Sequence, residues 1–211
     1  QTVRQVIAQN FPVTLELAVW ALEFDFVIAI RLGVVAGYKS GTTTDRGVSL
    51  FNYATLSAPA FVVGPLLMFV LGLQFHILPV GQWTPWGDGI VAHLKSVLLP
   101  GLTLGLTQVA NFCRILRTDM ESTLREDFIV LAKSKGLSDR FILFRHALRP
   151  SSLTLLTVAG VNLGTLLGGS VIVERLFNVQ GLGYQLIGGI YQREFLLVLG
   201  IVTIITIAVL L

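Results

Sequence analysis

Five apolar stretches, each close to or longer than twenty residues, constrain this chain more than any other feature. They run over about Phe11–Gly37, Leu50–Phe75, Val97–Leu116, Leu153–Val173 and Phe195–Leu211. A bilayer core of about 30 Å is crossed by roughly 20 apolar residues of helix. Inside hydrocarbon, backbone N–H and C=O groups must pair within the protein, so an all-α polytopic membrane fold with about five spans is expected. Composition agrees: 54% of residues are hydrophobic and 13% charged, with mean hydropathy +0.78, whereas soluble domains carry about 25% charged residues. Pro59 and Pro65 fall in the second stretch, where membrane helices tolerate proline if neighbours re-satisfy the freed carbonyls. A single membrane domain over residues 1–211 is the expected organisation.

The formal charge is +3, and its distribution reads as membrane topology rather than nucleic-acid binding. Ten Lys and Arg residues lie in the connections after the first and third stretches, from Lys39 and Arg46 to Arg114–Arg149. Four (Arg4, Lys95, Arg175 and Arg193) lie on the other side, and Arg31 lies within the first stretch. The positive-inside rule places the richer side in the cytoplasm, with Gln1 outside and Leu211 inside. The chain begins without methionine and ends in an apolar run, so an N-terminal span and a C-terminal end are expected beyond it. The single cysteine, Cys113, permits no internal disulfide and reads as a small packed thiol. In the outer loop His76–Lys95, Trp83 and Trp86 are expected in the aromatic belt at the membrane interface.

Residues 117–150 form the one long charged connection. Leu124, Phe128, Leu131 and Ala132 recur at one helical face. Glu126 and Asp127 stand in the early turns, and Lys133 and Lys135 in the last, which complements the helix dipole. Gly136 suits the left-handed residue that ends a helix. Ser138 then opens a second helix with a Phe141, Phe144, Leu148 stripe, and Pro150 falls where the next span begins. Two readings fit this segment: a helix lying flat on anionic lipid, or a knob that enters a groove on a cytoplasmic partner.

Polar groups at membrane depth each need a reason. Gln108, Asn111 and Asn162 either line a path or hydrogen-bond between helices. Gly160, Gly164 and Gly168 form a small-residue groove for close helix packing within the chain. Glu23 and Asp25 are expected to face protein or water, paired with a cation of another helix, and Arg31 to snorkel. Glu174, followed by Arg175, reads either as a gate or docking contact or as a solvated rim pair. No GxxxxGKS/T phosphate loop, HExxH or CxxC occurs, and His76, His93 and His146 are too scattered to mark a metal site. No catalytic or metal-binding residue is assigned, and the chain is not read as an enzyme.

Asp127-Phe128, Ala132, Lys135-Gly136-Leu137-Ser138 and Arg145-His146-Ala147-Leu148-Arg149 together resemble the cytoplasmic loop of ATP-binding-cassette importer permeases. The resemblance is nearest to the dipeptide and oligopeptide branch. It extends over Thr14-Leu15-Glu16-Leu17-Ala18, Ser57-Ala58-Pro59-Ala60-Phe61, Leu78-Pro79-Val80-Gly81, Leu98–Gly105, Leu166–Glu174 and Gly181-Leu182-Gly183. Departures are Val130-Leu131 where the general signature has Glu-Ala, Pro150 one place late, and Gln180 in place of proline.

The resemblance implies the transmembrane core of a type I importer in a bacterial or archaeal cytoplasmic membrane, with 117–150 as the coupling loop. It implies Asp127, Phe128, Leu131, Ala132, Lys133, Lys135, Gly136, Leu137 and Arg145 as the ATPase-coupling residues. Gln108, Asn111, Asn162, Gly164, Gly168 and Glu174 are the candidates for the path or the permease interface. Implied partners are a second permease, two cytoplasmic ATPases that carry the ATP and magnesium, an extracytoplasmic binding protein and the bilayer. No cofactor on this chain and no nucleic acid is implied. Peptide is the expected cargo, with nickel, glutathione or oligosaccharide as alternatives. An ion-driven carrier or channel without an ATPase is the rival class.

Overall fold

The computed structural model describes residues 2–210. These form α1 (Val3–Tyr38), α2 (Thr43–Ser57), α3 (Ala60–Leu67), α4 (Ile90–Thr123), α5 (Asp127–Ser134), α6 (Asp139–Phe141), α7 (Leu148–Leu176), α8 (Leu182–Gln192) and α9 (Phe195–Leu210). π-helical turns at Met68–Gln74 and Ile142–Ala147 extend α3 and lead into α7. The all-α fold expected from the apolar stretches is the fold observed.

The spans are less uniform than the hydropathy pattern implies. Two helical segments, Ile90–Thr123 and Asp139–Leu176, are both long and apolar enough to cross a bilayer. A third crossing exists if the broken pair α2–α3 counts as one span. The second apolar stretch is thus interrupted at Ala58-Pro59, because proline disfavours the helical region for the residue before it. Helix α1, at 36 residues, is long enough, but Glu16, Glu23, Asp25 and Arg31 lower its apolarity. Helix α9 has 16 described residues.

The chain divides into two compact units. One holds residues 2–24, Ala58–Thr107 and 161–210; the other holds Asp25–Ser57 and Gln108–Gly160. Helices α1, α4 and α7 contribute residues to both.

In the first unit, Leu17, Ala18, Ala21, Leu99, Leu104, Leu166, Leu167 and Phe177 form the core. Between helices in a bilayer the attraction comes from close packing rather than from water exclusion, so small residues mark the contacts. A Cβ on Gly105 would stand 2.8 Å from the Ala21 carbonyl oxygen, so α4 seats against α1 there only as glycine. A smaller cluster, Leu182, Leu197 and Ile201, joins α8 and α9 to Val6, Ile7 and Phe11 of α1.

In the second unit the same pair of helices meets again. A Cβ on Gly37 would lie 2.7 Å from the Met120 Cβ, and one on Gly33 3.0 Å from the Leu116 Cβ. Phe26 stacks on Phe112 at 5.8 Å between ring centroids. Asp25 is buried, and neither of its oxygens has a hydrogen-bond partner among the described residues. It faces protein, as expected, but no cation meets it among those residues, which corrects the expected pairing. Glu23 and Arg31 are exposed.

Candidate functional site

In the second unit, α5 follows Glu126 at its N-cap and carries Asp127 in its first turn and Lys133 in its last. Its end is fixed by backbone geometry. Gly136 has φ +75°, the Leu137 N–H donates to the Ala132 carbonyl at 3.4 Å, and the Gly136 N–H donates to the Lys133 carbonyl at 3.0 Å. This is the Schellman pairing, which closes a helix around a left-handed residue. A Cβ on Gly136 would meet nothing within 4 Å, so the glycine is needed for its backbone and not for space.

The buried face of α5 is Ile129 and Ala132. Phe128 is 45% exposed, Val130 60% and Leu131 56%. The expected stripe of Leu124, Phe128, Leu131 and Ala132 is therefore split: Ala132 packs inward with Ile129, while Phe128 and Leu131 point away. The next stripe is displaced in the same way. Ile142, Leu143 and Ala147 are buried, and Phe141 and Phe144 are exposed. The π-helical turn at Ile142–Ala147 adds a residue per turn and rotates the face away from a 3.6-residue register. Ser138 occupies the N-cap position without a side-chain cap bond. Helix continues without a break from Asp139 to Leu176, so Pro150 lies near the start of α7 instead of separating two helices. Asp127, Lys133, Lys135, Leu137 and Arg145 are exposed.

Three long-range contacts support this segment, and none was legible in the sequence. The Tyr38 hydroxyl donates to Asp139 Oδ2 at 3.0 Å. Arg117 donates from Nε and Nη2 to the two oxygens of Asp45 at 2.7 and 2.8 Å, and the Gly41 N–H adds 2.9 Å to Asp45 Oδ2. Thr123 and Ser151 hydroxyls pair at 3.0 Å. A forked guanidinium–carboxylate pair fixes direction as well as distance, so the α1–α2 turn is held to α4 just before the chain leaves for α5.

On α4, the Asn111 side-chain amide donates to Gln108 Oε1 at 3.2 Å, a bond within one helix and not between two. Asn162 is half-buried on α7. A Cβ on Gly164 would stand 2.8 Å from Val209 Cα, so this glycine serves packing of α7 on α9. Gly168 is exposed, and a Cβ there would meet nothing within 4 Å.

Glu174 is fully buried in the first unit. Its Oε1 accepts from the Ser170 hydroxyl at 2.9 Å and its Oε2 from the Tyr184 N–H at 3.0 Å. Thr14 Oγ1 accepts the Leu182 N–H at 2.8 Å. Together they satisfy two of the orphan N–H groups at the start of α8, where a carboxylate also suits the dipole. A Cβ on Gly181 would stand 2.5 Å from Glu174 Oε2, which accounts for glycine at that position. Neither a rim pair nor a solvated carboxylate is present: Arg175 instead lies 4.9 Å from the Tyr184 ring centroid.

The loop before α4 holds a cluster that sequence reasoning assigned only to an aromatic belt. His93 is fully buried. Its Nδ1 meets the Thr84 carbonyl at 2.6 Å and its Nε2 meets Glu16 Oε1 at 2.6 Å. A carbonyl only accepts, so Nδ1 carries a proton and one further proton lies between Nε2 and the carboxylate. Trp86 stacks on the imidazole at 3.9 Å and Trp83 meets it edge-on at 5.2 Å. The Trp86 Nε1–H donates to Glu16 Oε2 at 3.2 Å. Both ring nitrogens of His93 are thus committed, and among the described residues no three metal-binding side chains gather.

The family described as "Binding-protein-dependent transport system inner membrane component" matches residues 29–211. A relative, the probable peptide ABC transporter permease protein y4tP of Sinorhizobium fredii, is 32% identical over 92% of this chain and 62% of its own length. The oligopeptide transport system permease protein OppB of Salmonella typhimurium is 34% identical over 95% of this chain and 63% of its own. The chain therefore spans just under two thirds of the curated relatives it matches. A solved structure, described as a crystal structure of an amino acid ABC transporter with histidines, superposes with a TM-score of 0.68 at 18% identity, covering 98% of this chain and 89% of that one. That likeness concerns the fold alone. The resemblance read from Asp127–Arg149 and the flanking motifs agrees with these relatives, and the chain is a multi-pass membrane protein that belongs to the binding-protein-dependent transport system inner membrane component family.

Proposed function

We propose that this chain is a permease subunit of an ATP-driven importer and forms half of a transmembrane path for peptides. The observation that carries the reading is the family match over residues 29–211, together with relatives named as peptide and oligopeptide permeases. A second permease forms the other half. Two cytoplasmic ATPases hold the ATP and magnesium and do the hydrolysis, and an extracytoplasmic protein delivers the cargo.

The α5 segment supports the coupling role. A docking helix has to present apolar side chains outward and hold its own shape, and Phe128 and Leu131 are exposed on a helix closed at Gly136. Asp127, Lys133, Lys135, Leu137 and Arg145 are exposed beside them and complete the coupling surface, while Ala132 seats the helix from its buried face. This side faces the cytoplasm, and the Trp83–Trp86 loop faces out, which agrees with the ten-to-four division of Lys and Arg. ATP binding then moves the coupling helices, and the membrane helices follow because the two membrane states differ in affinity for the closed ATPases.

The test is to tag the full-length protein in its native cell, crosslink before mild extraction, and identify what co-purifies. A second permease, an ATPase and a binding protein are expected. Recovery as a lone chain or homo-oligomer overturns the reading in favour of a carrier or channel.

A further inference from the structure

A cavity of about 700 Å³ opens beside the Trp83–Trp86 loop in the first unit. Asn10, Gln82, Trp83, Asp88, Asn178 and Gln180 are on its wall. Asp88 is the single charged side chain lining it among the described residues, and it enters none of the salt bridges among those residues. Primary amides offer both a donor and an acceptor, the complement of a peptide group. The volume falls in the range of small-molecule sites, about 300–1,000 Å³.

The wall is also preformed. Thr84 is gripped on both sides: its N–H donates to Ser96 Oγ at 3.3 Å and its carbonyl accepts from His93 at 2.6 Å. The Ser96 hydroxyl donates in turn to the His93 carbonyl at 2.7 Å. Glu16 holds the far side of the imidazole, and Trp83 rests on its edge. A loop ordered before the ligand arrives adds little ordering cost on binding.

We propose that this recess receives the amino terminus of a short peptide, with the terminal ammonium on Asp88 and the first peptide groups on the Gln82, Asn178 and Gln180 amides. The proposal rests on the peptide-importer reading and names where that cargo first meets this chain.

The test uses the complete complex, with both permeases and both ATPases, in nanodiscs without the binding protein. Only the terminal ammonium and peptide groups are invoked, so trialanine and N-acetyl-trialanine are sufficient probes, titrated by calorimetry. Trialanine is expected to bind, acetylation and Asp88→Asn each to weaken it at least tenfold, and the two together to cost no more than either alone. No binding to the wild type, equal binding of the acetylated peptide, or unchanged affinity in Asp88→Asn overturns the site. Asp88 is exposed, so this variant is expected to fold. A parallel uptake assay in proteoliposomes with the binding protein separates the two ideas. Absence of peptide uptake by the wild type sinks the peptide-importer reading, whereas normal uptake with an indifferent Asp88→Asn sinks only the site.

Discussion

Around His93 the polar side chains are turned inward and paired, whereas along α5 three large apolar side chains are turned outward. His93 spends both nitrogens on Thr84 and Glu16 and is covered by two indoles. Phe128, Val130 and Leu131 have no such cover. A buried polar network is costly unless satisfied and rigid when it is. An exposed apolar face is unfavourable in water and gains when a partner covers it. The first arrangement therefore holds a loop in one shape, and the second leaves apolar surface open, as the proposed coupling role requires. Glu174 follows the His93 pattern, since it too is buried and spent on fixing a helix start.

If that contrast is correct, substitutions in the two regions should separate stability from coupling. The largest loss of stability is expected at Glu174→Leu, which leaves the Tyr184 N–H without an acceptor and removes a carboxylate from the start of α8. A cost of about 2–3 kcal/mol is expected, read as a lower unfolding temperature in detergent, with Glu174→Gln intermediate. Wild-type stability in Glu174→Leu would show that the cap is not needed.

His93→Ala should cost about 2 kcal/mol through the unpaired Glu16 and Thr84 groups. It should also shift tryptophan emission to the red as Trp86 loses its stacking partner and Trp83 its edge contact. Unchanged emission would mean the loop is held by something else.

Gly136→Val is expected to cost only about 1–2 kcal/mol, the penalty of a left-handed conformation in a residue with a Cβ. Its effect on coupling should be much larger: substrate uptake and stimulated ATP hydrolysis in the assembled complex should fall at least tenfold. Gly136→Asn, which tolerates that conformation better, should restore most of it. Equal activity in the two variants would remove the Schellman turn from the docking reading.

The smallest stability change, about 1 kcal/mol, is expected for Phe128→Ser combined with Leu131→Ser, since both side chains are about half exposed. Coupling should nevertheless be lost. A destabilised but fully coupled variant would reverse the assignment of the two regions.

Asp45 and Arg117 lie between these cases. The pair is partly open, with the Arg117 side chain 29% exposed, so breaking it with Asp45→Ala should cost about 1–3 kcal/mol. Loss of ATPase stimulation beyond that seen with an equally destabilising change in the first unit would identify it as a brace for the α5 segment.

Much of this protein could be read without coordinates, and the readable parts share one property: they are local. Apolar run length sets which segments become helices, because unpaired backbone is excluded from hydrocarbon. Gly136 ends α5 because its backbone freedom is intrinsic to the residue, and Asp127 and Lys133 sit where the dipole of a short helix wants them. Family membership was also legible, since ordered short motifs survive along the chain.

What only the tertiary structure decided depends on partners far apart in sequence. Glu16 finds His93 across 77 residues, Asp45 finds Arg117 across 72, and Tyr38 finds Asp139 across 101. Periodicity could not announce these pairs, because a hydrogen bond or ion pair leaves no trace in the spacing of either strand of sequence. The same holds for faces. A 3.6-residue pattern placed Phe128, Leu131 and Ala132 on one face, but Ala132 turns inward with Ile129 while Phe128 and Leu131 stay outward, and in the next segment Ile142 and Leu143 are buried where Phe141 and Phe144 are exposed. Which apolar side chains are covered is settled by the neighbours that arrive, and the sequence of a single segment does not contain them.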